Sequence, residues 1–250
     1  MPFDLARVRA ALPGRRIEWF AITPSTMTIA AQLVREGCAS RTVVGADQQS
    51  AGIGRHGHSW HSNADAGLYV SIVLRLPVGA NALPVVMLAL GLAAQEAIAK
   101  VSGMAADLRW PNDVMIGGRK CAGILAQLDS GAIVAGIGIN VNHAEFPEEI
   151  ASLATSLRLA GAIVAREDLL IALLRAIDDA CEMLIAQGPP VILEAFSRAS
   201  SYASGRRVRF EHDGATMEGI TRGLDSAGFL LVRDDNGKDT TIFAGGVRPI

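Results

Sequence analysis

Three stretches concentrate residues that could do chemistry. The first is Gly52-Ile53-Gly54-Arg55-His56-Gly57-His58-Ser59-Trp60, in which three glycines follow the spacing G-x-G-x-x-G. Glycine admits positive φ and lets a ligand approach the backbone closely. Arg55 adds a permanent charge whose planar fork suits phosphate or carboxylate, and successive backbone N–H groups in such a loop can form an anion nest. The second is Trp110-Pro111-Asn112-Asp113, followed after seven residues by Lys120 and then Gly123-Ile124-Leu125. The third is Gly136-Ile137-Gly138-Ile139-Asn140, where an asparagine interrupts an apolar run and needs hydrogen-bond partners: adenine, phosphate or neighbouring backbone.

The glycine spacing resembles a dinucleotide fingerprint, but that reading needs a helix to open at the last glycine and an acidic residue at the end of a second strand. A polar loop and another strand follow Gly57 instead, so the dinucleotide reading is set aside. Trp60 would lie over a planar ring or plug the core where the loop meets the sheet. His56, His58 and His61 raise a zinc hypothesis, yet no cysteine or carboxylate stands at a usual ligand spacing. Their expected use is a mildly basic cleft.

The elements that must position these residues follow from patterning. Residues 17–23 read as a strand. Thr23-Pro24-Ser25 supplies helix-start chemistry for a helix ending near Glu36-Gly37. Strands are expected over 41–48 and 67–76, a buried helix over 84–100, then short strands over 107–110, 114–116, 121–128 and 132–141. Gly117-Gly118 and Asp129-Ser130-Gly131 read as hairpin turns, which predicts antiparallel pairing. An amphipathic helix is expected over 166–186, ended by Gly188-Pro189-Pro190, with a shorter one over 191–200. After Ser204-Gly205 short alternating segments predict a small all-β module, giving domains 1–203 and 204–250.

Bulk properties narrow the class. The chain has 250 residues, half of them hydrophobic, and a net charge of −2 without a basic block, so the electrostatic footprint of a nucleic-acid binder is absent. No signal-peptide pattern opens the chain. The apolar stretch Val85 to Ala94 reads as too short to span a bilayer. Cys38, Cys121 and Cys181 are an odd, scattered set, read as reduced cytosolic thiols.

Four segments in order make the chain similar to biotin protein ligases: PSTMTIA (24–30), ADQQSAGIGRHGHSW (46–60), RWPNDVMIGGRKCAGIL (109–125) and GIGINVN (136–142). The pairing of W-P-N-D with K-x-x-G-I-L is the specific part. The resemblance implies an α+β fold of the class II synthetase and biotin-ligase kind, a mixed sheet with helices and a C-terminal SH3-like barrel. It implies an ATP-dependent, AMP-forming enzyme of the cytoplasm. Biotin and ATP would give biotinyl-5′-AMP, and a lysine of a biotin carboxyl carrier domain would then take the biotinyl group. Mg²⁺ would accompany ATP.

The implied catalytic residues are Lys120, Arg55 and Asp113, with Asp113 also a magnesium ligand or an orienter of the acceptor lysine. Biotin would meet Ser25, Thr26, Gln49, Gly52, Gly54, Arg55, Lys120 and Gly123. ATP would meet Arg55, Gly57, His58, Trp60, Asn112, Lys120 and Asn140. A lipoate or octanoate ligase or transferase of the same fold is the alternative. About twenty residues precede the first motif, too few for a helix-turn-helix, so no specific DNA binding or membrane partner is expected. Either a monomer or a homodimer is compatible. The chain departs from the family at Ile53, often arginine, at Met27, usually asparagine, and at Arg109 and His58. Ile53 implies a less well clasped adenylate, and Met27 removes one polar biotin contact.

Overall fold

The computed structural model describes residues 3–212, 215–243 and 247–250, with the backbone alone at 56, 212 and 249. In chain order the elements are α1 (Leu5–Ala11), β1 (Ile17–Thr23), α2 (Thr26–Arg35), β2 (Val43–Gln49), β3 (Gly67–Leu74), α3 (Leu83–Ser102), β4 (Asp107–Arg109), β5 (Asp113–Ile116), β6 (Arg119–Asp129), β7 (Ala132–Asn140), α4 (Glu148–Ala151), α5 (Arg166–Gln187), α6 (Pro189–Ala199), β8 (Ser204–His212), β9 (Ala215–Leu224), β10 (Leu230–Asp234), β11 (Asp239–Ile242) and β12 (Arg248–Pro249).

Seven strands form a mixed sheet in the order β1-β2-β3-β7-β6-β5-β4. β1 and β2 are parallel, as the crossover through α2 requires. Every other pair in the sheet is antiparallel. Two tight hairpins set the register at the centre. Gly117 and Gly118 have φ 57 and 75°, and Ser130 and Gly131 have φ 46 and 76°. Positive φ at both central residues gives a turn whose twist matches the strands it joins.

Helices cover both faces, so β3 is buried along its whole length. Period two then sorts β7. Ile133, Ala135, Ile137 and Ile139 belong to the large core that includes α3 and α5. Ala132 and Val134 face the other way and pack under α2 with Met27, Leu33 and Val34. Gly136 lies on that second face under Met27 in the first turn of α2, and Gly138 continues the face beyond the helix.

α3 runs twenty residues and is long and apolar enough, by length and composition, to cross a bilayer. Counting only Val85 to Ala94 missed this. Here α3 is a core helix: ten of its residues are buried, against α5, α6 and the sheet. α1 was not expected. Only Val8 of it is buried, and tertiary bonds hold it, with Arg7 paired to Asp168 and the Asp4 N–H donating to Glu167. Gly188, at φ 77°, ends α5 and at once starts α6, two residues before the expected position.

The C-terminal strands form a five-stranded antiparallel sheet in the order β11-β10-β9-β8-β12. Its Val208, Phe210, Leu230, Val232 and Ile242 merge into the large core. Trp110 also donates its indole N–H to the Gly228 carbonyl at 2.9 Å, across 118 residues of chain.

Candidate functional site

A cavity opens on the bare part of the sheet, beyond the N-terminus of α2. The space within it, open solvent at the mouth included, is about 460 Å³. Its floor is glycine. Gly123 of β6 pairs directly with Gly138 of β7, and Leu125 pairs with Gly136. A Cβ on Gly138 would lie 2.4 Å from the Trp60 ring, one on Gly123 2.8 Å from it, and one on Gly136 2.7 Å from the Met27 sulfur. The glycines of the third motif are therefore seats for Trp60 and Met27.

One end is polar. Ser25 stands at the N-cap of α2, yet its side chain makes no cap bond, contrary to the capping role expected of it. Its Oγ is buried without a partner. Gln49 caps instead: Oε1 accepts from the Thr26 N–H at 2.9 Å and from Thr26 Oγ1 at 3.2 Å, and Nε2 donates to Ser62 Oγ. Thr26 Oγ1 also lies 2.8 Å from Ser71 Oγ. The unused Ser25 hydroxyl lines the cavity. A buried hydroxyl left unmatched costs free energy unless a ligand meets it.

The other end is cationic. Arg55 donates Nη1 to Asn112 Oδ1 at 3.1 Å. Burial pushes its pKa down, opposed by the charge of Asp113. Among the described residues it has no carboxylate within ion-pair distance. Lys120 Nζ lies 2.6 Å from Asp113 Oδ1, a close ion contact without the alignment of a hydrogen bond, and 5.3 Å from the centre of the Trp60 ring. Arg55 and Lys120 line the same cavity as Ser25, Thr26, Gln49 and Gly123. Two cations thus face one hollow, one of them without a carboxylate, which is an anion site by charge alone.

The glycine loop gains its shape without opening a helix. A single 3-10 turn covers Arg55–Gly57. The Gly54 N–H donates to the His58 carbonyl and the Trp60 N–H to the Gly52 carbonyl. A Cβ on Gly52 would lie 2.6 Å from the Trp60 carbonyl, which is why that position is bare.

The other expected contact residues have partners within the protein or lie outside the cavity. Asn112 lines the cavity, where Oδ1 accepts from Arg55 and Nδ2 donates to the Ile124 carbonyl, so that it orients the guanidinium. Asn140 lies outside the lining and donates Nδ2 to the Thr155 carbonyl, so neighbouring backbone satisfies it. Gly57 and His58 are exposed and do not line the cavity.

Asp113 is a poor magnesium ligand. Oδ1 faces Lys120, and Oδ2 accepts from Arg109 Nη2 at 2.6 Å. Among the described residues no three His, Cys, Asp or Glu side chains gather as metal ligands. The side chain of His56 lies outside the described set. His61 sits 5.9 Å from the ring of His143, which stacks on Phe146. Burial lowers the His143 pKa to about 4, so at neutral pH it is an uncharged packing group. The sequence reading did not single out Tyr69 or Val70, both in the lining; in a strand their types signal only burial.

Residues 19–143 match the Biotin/lipoate A/B protein ligase family, and residues 203–247 match the Biotin protein ligase C terminal domain. The Biotin--[acetyl-CoA-carboxylase] ligase of Mycobacterium tuberculosis is 33% identical, across 98% of this chain and 95% of that one. The Bifunctional ligase/repressor BirA of Bacillus subtilis is 29% identical, across 92% of this chain and 73% of that one. The structure of the biotin protein ligase from Aquifex aeolicus in complex with biotin and ATP superposes with a TM-score of 0.83 at 28% identity, covering 94% of this chain and 98% of that one. Orphaned hydroxyl, glycine floor and paired cations thus lie in a chain that belongs to the biotin/lipoate A/B protein ligase family and carries the C-terminal domain of its biotin protein ligases.

Proposed function

We propose that this chain is an ATP-dependent biotin protein ligase. In the first step a biotin carboxylate oxygen bonds to the α-phosphorus of ATP, the bond to the β-phosphate oxygen breaks, and pyrophosphate leaves. In the second, a carrier lysine amine attacks the acyl carbon, AMP departs with the bridging oxygen, and the new amide nitrogen loses a proton. The observation that carries the reading is the convergence of Arg55 and Lys120 on the cavity that also holds the unmatched Ser25 hydroxyl.

Biotin's ureido head suits the Ser25, Thr26 and Gln49 end, with Gly52 and Gly54 shaping the adjacent loop. Its apolar chain suits the wall of Met27 and Leu125. The carboxylate and α-phosphate then lie between Arg55 and Lys120, where fixed positive charge opposes the repulsion of two anions. Lys120 can turn towards them without stranding Asp113, because Arg109 remains bound to that carboxylate. Trp60 presents a flat apolar face over the bare strands. Magnesium is expected as the companion of ATP's phosphate oxygens and not as a protein-held ion.

The match of residues 203–247 to the Biotin protein ligase C terminal domain favours biotin over lipoate or octanoate. We read 1–203 as the catalytic domain and 204–250 as an SH3-like barrel. The three free cysteines are all buried, which suits a reducing cytoplasm. The acceptor is a biotin carboxyl carrier domain. The test is incubation with ATP, magnesium and either biotin or lipoate, followed by mass spectrometry. Biotinyl-5′-AMP is the expected product; lipoyl-AMP alone, or no adenylate, refutes the reading.

A further inference from the structure

The glycine loop leaves β2 after Gln49 and rejoins the sheet at Gly67. Its two ends are tied together by a residue of neither strand. Arg166, the first residue of α5, donates Nη1 to Asp47 Oδ1 at 2.9 Å and Nη2 to Asp65 Oδ1 at 2.7 Å. Asp47 lies on β2, and Asp65 stands two residues before β3 in the left-handed region at φ 57°. The Asp65 N–H donates to the Asp47 carbonyl alongside. The guanidinium also lies 5.4 Å from the ring of Phe3, which stacks on Trp19 of β1.

Helix physics does not account for this arginine. The first turn is the positive end of a helix, where a cation is disfavoured. Its side chain is only 5% exposed, and burying a charge is costly unless it is paired. Both penalties are offset chiefly by the two carboxylates, with the Phe3 ring beside the guanidinium. None of Arg166, Asp47 and Asp65 lines the cavity. The loop between those carboxylates, by contrast, carries Arg55 and Trp60.

We propose that Arg166 is a positioning residue: it clamps the two ends of the glycine loop so that Arg55 and Trp60 stay over the cavity. The consequence for catalysis rests on reading that cavity as the biotin and adenylate site. Without the clamp the loop opens more often. Biotinyl-adenylate then escapes faster and the KM for biotin rises, while the rate at saturation holds.

Two variants test this. Asp65 is 61% exposed, so its ion pair adds little to global stability, and asparagine tolerates positive φ. Asp65→Asn therefore keeps the fold; Arg166→Met removes the whole clamp. Arg166→Met is expected to release biotinyl-adenylate about tenfold faster and to raise the biotin KM about tenfold, the scale of one charge-assisted hydrogen bond; Asp65→Asn, which keeps an acceptor oxygen at the exposed end, is expected to change both about two- to threefold. The expected change in kcat stays within about twofold. Hydrogen exchange without ligand should rise within 50–66 and not across the sheet. A purely structural role would lower the Tm and raise exchange throughout, and that result overturns the proposal. So does unchanged exchange and release in both variants. If the wild type makes no biotinyl-adenylate, the functional reading fails, and the exchange pattern alone still decides the clamp.

Discussion

Replacing Gly138 by alanine adds one methyl group where the floor has none. Its Cβ would stand 2.4, 2.6 and 2.8 Å from three atoms of the Trp60 indole. Ordinary carbon contacts are about 3.5–4.0 Å, so the ring must retreat by about 1 Å or more. β7 is paired on both sides and cannot give way; the loop carrying Trp60 can. Overpacking of this kind costs about 1–3 kcal/mol. If that cost falls on the ligand-ready position of the loop, biotin affinity drops about 10- to 100-fold, while the Tm changes by only a few degrees. Gly136→Ala is the control, because its Cβ meets the Met27 thioether, a flexible side chain able to swing aside. Calorimetric titration of biotin into both variants and the wild type, with thermal melts, reads the contrast. Wild-type affinity in Gly138→Ala, or an equal loss in Gly136→Ala, refutes the view that the glycines are seats shaped to their occupants.

Lys120→Ala should lower ATP–pyrophosphate exchange about 10²- to 10³-fold, as loss of one fixed charge at a reacting centre does. It should leave the melting curve nearly in place, since Asp113 keeps Arg109; exchange within a few-fold of wild type would disprove the role. His143 is held near 4 when folded against 6.5 when unfolded, so the unfolded chain binds its proton first. Its stabilising effect is complete above pH 6.5 and is lost as pH falls towards 4, about 2 kcal/mol between pH 7 and 4.5. Denaturation at those two pH values, compared with His143→Gln, measures the difference, and equal acid sensitivity in both proteins would contradict the assignment. Cys121 is fully buried and burial raises its pKa to about 12, so iodoacetamide at pH 8 should label it only after denaturation, as peptide mass spectrometry can show.

Local pattern carried most of the architecture. The strand over Ile17–Thr23 follows from its residues, and the two hairpins from Gly117-Gly118 and Ser130-Gly131. The cations were legible because Arg55 and Lys120 sit in distinctive surroundings. Partner choice was not legible. Nothing near Ser25 says that Gln49, more than twenty residues on, would take the capping task and leave its hydroxyl spare. Asn140 read as a ligand contact because a polar residue among apolar ones needs a partner, and sequence does not say which of several it finds; the partners of Asn112, Arg55 and the Ile124 carbonyl, lie equally outside local pattern. Arg166 gave no signal, since its carboxylates are 119 and 101 residues away.

The bond from the Trp110 indole to the Gly228 carbonyl has a bearing on trimming the chain. Trp110 immediately precedes Pro111 and Asn112, and it is 5% exposed. Cutting away the last fifth of the molecule would remove that acceptor and uncover the indole, which Val208, Leu230 and Val247 flank, two residues from the amide that aims Arg55. The small sheet therefore acts as a buttress for the reaction centre, and a shortened protein should falter in adenylate formation before any question of docking a carrier arises.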